Sequence, residues 1–514
     1  MEINQETIGG GRNRPVERLR GMDDQLPPAV YRTRRVLDYL AYVAEVYGYQ
    51  PVDVPLLEST ELFLRKSGES LAPKLYAFDF RGRPTCIRPE FTASVGRLYV
   101  EQLQDAPLPQ RLYYAGPVLR HEKPQRGRRR QFTQFGLELI GAEGPLADAE
   151  VISAAWDGLH MIGLTKFRVI LGHIGATLEM LAHLKLDRRA RDFLLINLEN
   201  LSRPDRGQEY VERRLAELFP ATAGPKPTDL ASQTGQEAIR WAIAPLLDQL
   251  AEDMALGSRS KDEILQSVLD QLARPNQEPL IRQALALVEE LHQLAGPPAH
   301  TLPAAAELLR QHHLSEEPLR ELQEITRLLK AAGIPENELT VDLGFGRGLH
   351  YYTGMVFEIY GADDCAGDQP LCGGGRYDDL ITSLGGRKKT PACGFAFHVS
   401  RLVDCLPEMR EEEPRVDVLI YSAGDELAGA ALRLAREMRQ VGLCVELDVR
   451  QRTNRANAQH AAKRGIRYTV EVFGNLKKTK CKIYDRSMRR GAELDEKAVI
   501  DWFISPGRRE NDEE

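Results

Sequence analysis

The stretch 111–141, RLYYAGPVLRHEKPQRGRRRQFTQFGLELIG, constrains the fold more than any other part of the chain. It reads as two strands joined by a polar loop. The first, 112–119, is apolar and aromatic, with Gly116 and Pro117 inside it. The second, 131–140, alternates, so Phe132, Gln134, Gly136, Glu138 and Ile140 share one face. Arg120 and Glu122 flank His121 and share a face on the other strand. Between the strands stand Lys123, Arg126, Arg128, Arg129 and Arg130, a loop basic enough to suit a polyanion. Charged groups are rarely buried without partners. The hairpin alone therefore fits two readings, a solvated sheet face or the wall of a binding site.

At 514 residues the chain exceeds one ordinary core, and two or three domains are expected. A net charge of −7 supplies no global attraction to nucleic acid, so any RNA contact falls to a local patch. No apolar run approaches the length of a membrane span. The N-terminus, MEINQETIGGGRNRPVERLRG, lacks an apolar signal core, and a cytoplasmic protein with no membrane partner is expected. The 7 cysteines are scattered; Cys365 and Cys372 are the closest pair, with no second pair to complete a zinc site. Reduced structural thiols are expected. His312 and His313 have no acid, Cys or third His at ligand spacing, so no metal site is expected.

In chain order, residues 1–17 read as disordered. Val36, Leu37, Leu40, Val43, Ala44 and Tyr47 recur at helical spacing and Gly48 closes that helix, after which Val52 and Val54 alternate into Pro55. Tyr76, Phe78 and Phe80 open a hairpin that ends at Arg88-Pro89-Glu90. A helix over 145–160 precedes a strand, a Gly-His-x-Gly turn and another helix. Residues 176–335 read as an inserted helical domain between core segments 18–175 and 336–410. After the linker Glu411-Glu412-Glu413-Pro414, strands and helices alternate over 415–508, predicting a small α/β domain with a mostly parallel sheet. Its tail is basic: Lys477, Lys478, Lys480, Lys482, Arg486, Arg489 and Arg490.

Four motifs in order, RPE-x-TA, R-x-E-x-PQ-x-GR-x-RQF-x-QFG-x-E, RG-x-x-YYTG and a Gly-rich strand leading to Arg401, resemble those of class II aminoacyl-tRNA synthetases, specifically the histidyl branch. The resemblance implies an α+β fold: an antiparallel sheet core with a helical insertion, plus a C-terminal anticodon-binding-like domain. It implies that Arg120 meets the α-phosphate of ATP, that Glu122 helps hold ATP, and that Arg401 meets the γ-phosphate. Glu90 and Thr92 take the positions that bind the amino group of histidine. Gln134 and Glu138 lie on the strand that holds histidine, and the Tyr351 and Tyr352 hydroxyls suit an imidazole. Arg347 takes the position of the arginine that stabilises the reacting carboxylate and phosphate. The helix and strand over 29–55 resemble the family's dimer-forming element, so a homodimer is expected. ATP with Mg²⁺ is expected if the protein is active, and no prosthetic group.

The histidyl branch has two arms, histidine–tRNA ligase and the regulatory subunit of ATP phosphoribosyltransferase. LGHIG, QFTQ with Thr133, His350 before the tyrosines and Ser400 before Arg401 resemble the regulatory arm. The retained Arg120, Glu122, Arg347 and Arg401, and the C-terminal domain, resemble the ligase. The sequence reading favours a regulatory paralogue partnered by the transferase catalytic subunit. A ligase acting on tRNA is the alternative, and an inactive RNA- or protein-binding scaffold a third reading.

Overall fold

The computed structural model describes residues 16–122, 129–184, 207–219, 277–344, 352–362, 369–407 and 416–505, with 186–187, 189–191, 193–194, 197 and 365 between them. The expected disorder of 1–17 thus lies almost wholly outside the described residues. The chain divides into two compact units, the larger built on Arg32–Pro407 and the smaller on Glu408–Glu514 together with Leu26–Tyr31.

In the larger unit, β1 (Gln50–Pro51) follows the helix Ala29–Val46. Gly48, with φ +80°, makes the turn between them. Only Gln50 and Pro51 pair as strand, so the expected strand over Val52 and Val54 is displaced towards the helix. β2 (Leu57–Ser59), β3 (Tyr76–Phe80) and β4 (Arg83–Ile87) form a small sheet in the order β2-β4-β3. The main sheet adds β5 (Gln110–Leu119), β6 (Gln131–Ile140), β7 (Phe167–His173), β8 (Leu339–Val341), β9 (Met355–Gly361), β10 (Cys372–Arg376) and β11 (Ala392–His398). Its order is β1-β5-β6-β11-β10-β9-β7-β8. Every interior pairing is antiparallel; only the end pairs β1–β5 and β7–β8 are parallel.

Period-two alternation sorts the sheet's two faces. Phe135, Leu137, Leu139, Phe357, Phe395 and Phe397 point into the principal core. There they meet Ile152, Ala155 and Leu159 of the helix Pro145–Met161. The opposite face of β5 and β6 carries Leu112, Tyr114, Val118, Phe132 and Ile140, which pack with Phe91, Val95 and Tyr377. The site lies on this second face.

The helical stretch expected over 176–335 is shared between two cores. The helices Pro298–Gln311 and Glu317–Ala331 bury Leu302, Leu309, Leu322, Ile325 and Leu329 in the principal core. Ile174, Val211, Leu215, Ile281 and Leu287, from the helices Ile174–His183, Gly207–Leu218 and Glu278–Gln293, form a separate cluster. The expected Gly-His-x-Gly turn does not form. β7 passes directly into the helix Ile174–His183, and His173 Nδ1 accepts from the Gly175 amide at 3.1 Å.

The cysteine reading is corrected. Cys365 and Cys405 form a disulfide, whereas Cys86, Cys393, Cys444 and Cys481 stand outside it as thiols. The two partners are 40 residues apart, brought together because β9, β10 and β11 are consecutive neighbours in the sheet.

In the smaller unit β12 (Val418–Ser422), β13 (Val445–Leu447), β14 (Tyr468–Asn475), β15 (Lys478–Asp485) and β16 (Arg490–Asp495) are ordered β13-β12-β14-β15-β16. The sheet is mixed, not mostly parallel: β13, β12 and β14 run parallel, while β14–β15 and β15–β16 are antiparallel. No helix separates these last strands, so tight turns reverse the chain. The basic tail becomes a hairpin in which Lys482 stands opposite Glu471 and Glu493, and Lys480 pairs with Glu493 at 2.7 Å.

Candidate active site

The register of the main sheet sets small residues side by side. Gly136 on β6 stands opposite Tyr114 on β5 and Ala396 on β11, and Glu138 stands opposite Gly394. The glycines are required by close approach. A Cβ on Gly394 would collide with Glu138 Oε2, and one on Gly136 with the Tyr114 hydroxyl. Tyr114, Glu138 and Tyr377 meet over this strip of the sheet face, the trough.

Glu138 is its deepest acid, 1% exposed. Tyr114 Oη donates to Glu138 Oε1 at 3.0 Å and Tyr377 Oη donates to Oε2. Burial pushes this carboxyl up to about 8, against the opposing hydrogen bonds from Tyr377, Thr92 and Tyr114. Tyr114 is itself fixed by a parallel stack on Phe91, with centroids 4.4 Å apart. Glu90 sits just before the helix Thr92–Leu98 and accepts from the Ala93 amide at 3.1 Å, capping that helix. Burial raises the Glu90 carboxyl too, although the Ala93 amide and the Arg120 charge oppose the rise. Thr92 hydrogen-bonds to both acids, so Glu90, Thr92 and Glu138 converge.

Gln134 is buried, and its Oε1 has no hydrogen-bond partner among the described residues. An orphaned buried acceptor costs about 1–3 kcal/mol, a cost that a bound N–H donor would remove. Tyr352 packs near Tyr377, ring centroids 6.5 Å apart, over Gly375. Arg347, His350 and Tyr351 lie outside the described residues, as do Lys123, Arg126 and Arg128.

The cationic end of the trough is held by the backbone. Arg120 Nε donates to Pro89 O at 2.8 Å, and Arg401 Nη1 donates to Pro370 O at 2.7 Å. Glu122 lies just past Arg120, and its carbonyl accepts from Arg130 Nε at 3.2 Å. Arg129 pairs with Asp23 at 3.4 Å and Asp404 at 3.7 Å. His398, the last residue of β11, stacks on Phe132. Burial, with Arg401, Arg120 and Arg129 nearby, holds its imidazole well below the usual range.

The sequence reading missed Tyr114, Tyr377 and His398. Tyr114 was within reach, because it alternates with Leu112 and Gly116 on a strand already identified. Tyr377 and His398 depend on strand order, which alternation does not reveal. A buried ion pair fixes the neighbouring strand: Arg376 Nη2 meets Asp148 Oδ1 at 2.7 Å and Arg376 Nε meets Oδ2 at 3.3 Å. Among the described residues no group of three or more His, Cys, Asp or Glu is placed to hold a metal ion. A cavity of about 180 Å³ lies elsewhere, lined by Arg189, Phe193, Tyr210 and Phe219 among others.

A family model described as histidyl-tRNA synthetase matches residues 21–222 and 229–402. The chain belongs to that family. A second model, an anticodon binding domain, matches 416–505, so the smaller unit is the family's anticodon-binding domain. The chain is 31% identical over 478 residues to the histidine–tRNA ligase of Methanocaldococcus jannaschii, covering 93% of this chain and 96% of that one. It is 31% identical over 472 residues to the histidine–tRNA ligase of Pyrococcus furiosus, covering 89% and 91%. A solved structure from Bacillus halodurans is described as an ATP phosphoribosyltransferase regulatory subunit/histidyl-tRNA synthetase. It is 25% identical, with a TM-score of 0.60 and coverage of 88% of this chain and 97% of that one. The apo S. aureus histidyl-tRNA synthetase has the same fold, with a TM-score of 0.60 at 23% identity over 95% of this chain and 100% of that one. The large unit thus has the class II synthetase fold, an antiparallel sheet with helices packed on it.

Proposed function

We propose that this chain is a histidine–tRNA ligase. The observation that carries the reading is Glu138: a buried carboxyl of raised proton affinity, held by Tyr114 and Tyr377, on the same strand face as the unsatisfied amide oxygen of Gln134. That set suits the N–H groups of an imidazole and the ammonium of an amino acid. The archaeal relatives, matched almost end to end and named as ligases, support the same choice. They reverse the preference for a regulatory subunit that Thr133, His350 and Ser400 suggested.

In this reading Glu138 and Tyr352 receive the imidazole, and Glu90, Thr92 and Gln134 receive the ammonium. Arg120 and Arg401 hold the phosphates of ATP, with Glu122 beside Arg120; Arg347 and Tyr351 keep the roles the resemblance implies. The histidine carboxylate attacks the α-phosphate, forming the P–O bond as the bond to pyrophosphate breaks. A tRNA terminal hydroxyl then attacks the adenylate carbonyl and AMP leaves. Fixed guanidiniums neutralise charge that builds on the phosphate oxygens. Mg²⁺ would ride on the ATP phosphates, since it takes one or two carboxylates and keeps substrate oxygens as ligands.

The protein is proposed to act as a homodimer through the helix Ala29–Val46, whose Tyr42 and Val46 are exposed. No helix among the described residues is long and apolar enough to cross a membrane. The test is direct: purified protein with ATP, Mg²⁺, histidine and total tRNA is expected to form histidyl-tRNA. The Bacillus halodurans neighbour's double description favours a second reading, regulation of the transferase catalytic subunit. No charging, together with histidine-sensitive stimulation of that subunit, would establish it instead.

A further inference from the structure

Phe132 and His398 project from neighbouring strands on the trough face. Their ring centroids are 4.1 Å apart and their planes differ by 5°. At that spacing no third ring fits between them. The Arg120 guanidinium lies 5.4 Å from the same Phe132 ring, and the Arg401 amide donates to His398 Nδ1 at 3.3 Å. The groups around the imidazole are thus Phe132 and Gln134 of β6, Arg120 beyond β5, Arg129 before β6, and Arg401 of the following helix. A neutral ring tolerates those three guanidiniums; an imidazolium would not.

We propose that His398 is an internal plug, occupying the face of Phe132 on which the base of a bound nucleotide stacks. The proposal rests on the reading of Arg120 and Arg401 as ATP ligands. A nucleotide whose phosphates lie along those arginines brings a planar base to the aromatic ring beside them, and bases stack readily on aromatic faces. The base gains that face only when the His398 side chain rotates away. His398 ends its strand with φ −89° and ψ 86°, and among the described residues its ring accepts from the Arg401 amide at 3.3 Å and stacks on Phe132. Nucleotide binding therefore includes the loss of an aromatic contact within the protein. A ligand with phosphates and no base does not have to displace the ring.

The experiment compares ATP with tripolyphosphate by calorimetry on the full chain, as wild type, His398→Ala and His398→Phe. Loss of the stack is expected to tighten ATP binding of His398→Ala by roughly 3- to 10-fold, from the ordinary strength of an aromatic pair. Tripolyphosphate affinity should stay within twofold, and His398→Phe should bind ATP no more tightly than wild type. ATP binding that is unchanged or weaker in His398→Ala would overturn the plug. Equal tightening for tripolyphosphate would also overturn it, because the histidine would then act through the field of the arginines. No ATP binding by any of the three proteins would overturn both the plug and the ATP site. Histidyl-tRNA formation, measured separately, tests the ligase reading: its absence beside the expected ATP results would sink that reading alone.

Discussion

Replacing Glu138 with Gln removes a titratable carboxyl from a buried position and keeps its shape. The Glu138 carboxyl is shifted by burial from its ordinary 4.5 to about 8. At ~1.4 kcal/mol per pKa unit, that shift corresponds to about 5 kcal/mol of linked stability. The folded state binds the proton more tightly than the unfolded state. The contribution is therefore complete below the ordinary value and is lost as pH rises to about 8. Between pH 6 and 9 the wild type should lose about 3 kcal/mol through this group alone, and Glu138→Gln should lose none of it. Urea unfolding at pH 6 and pH 9 reads the difference: the variant should gain on the wild type by that amount. Histidine affinity should move the other way, falling roughly 10- to 150-fold, since a hydrogen bond to a charged group is worth about 1.5–3 kcal/mol. Parallel pH profiles for the two proteins, or unchanged histidine binding by calorimetry, would refute the reasoning.

Arg376→Ala leaves Asp148, which is fully buried, without its ion partner. It should cost about 3–5 kcal/mol in urea unfolding, and a loss under 1 kcal/mol would contradict the role given to the pair. The Cys365–Cys405 bond closes a loop of 40 residues, so Cys365→Ser should cost about 4 kcal/mol on the chain-entropy account. Non-reducing peptide mapping checks that the cross-link forms, and identical stability with and without reductant would argue against it. Light scattering should return twice the chain mass of 57.8 kDa, and Tyr42→Glu on the exposed helix face should shift that towards the monomer. A wild-type monomer at micromolar concentration would refute the dimer.

The hairpin was legible because alternation is a local property. β6 begins and ends at the residues that alternation marks, and its even-numbered residues do face the trough. What alternation could not show was which strand lies beside which. Tyr377 reaches Glu138 across 239 residues only because β11 is inserted between β6 and β10. The same applies to Cys405, whose partner is Cys365 and not a neighbour in sequence. The helices after Ile174 all read as amphipathic, and nothing in that pattern says which core each apolar stripe faces. The mixed C-terminal sheet was missed because a basic run resembles a solvated tail until its hairpin sets Glu471 and Glu493 against the lysines.

One interior strand of the large sheet is made early and finished late. β6 can pair with β5 as soon as both leave the ribosome, but its other edge waits for β11, about 250 residues further on. At roughly 5–20 residues per second, that edge stays open for about 13–50 s of synthesis. During this interval Phe135, Leu137 and Leu139 have no sheet neighbour on that side, and an unpaired apolar strand edge is a template for aggregation. The nascent chain therefore carries an open apolar edge at the strand that later holds Glu138, and a stall before β11 would leave that edge to chaperones.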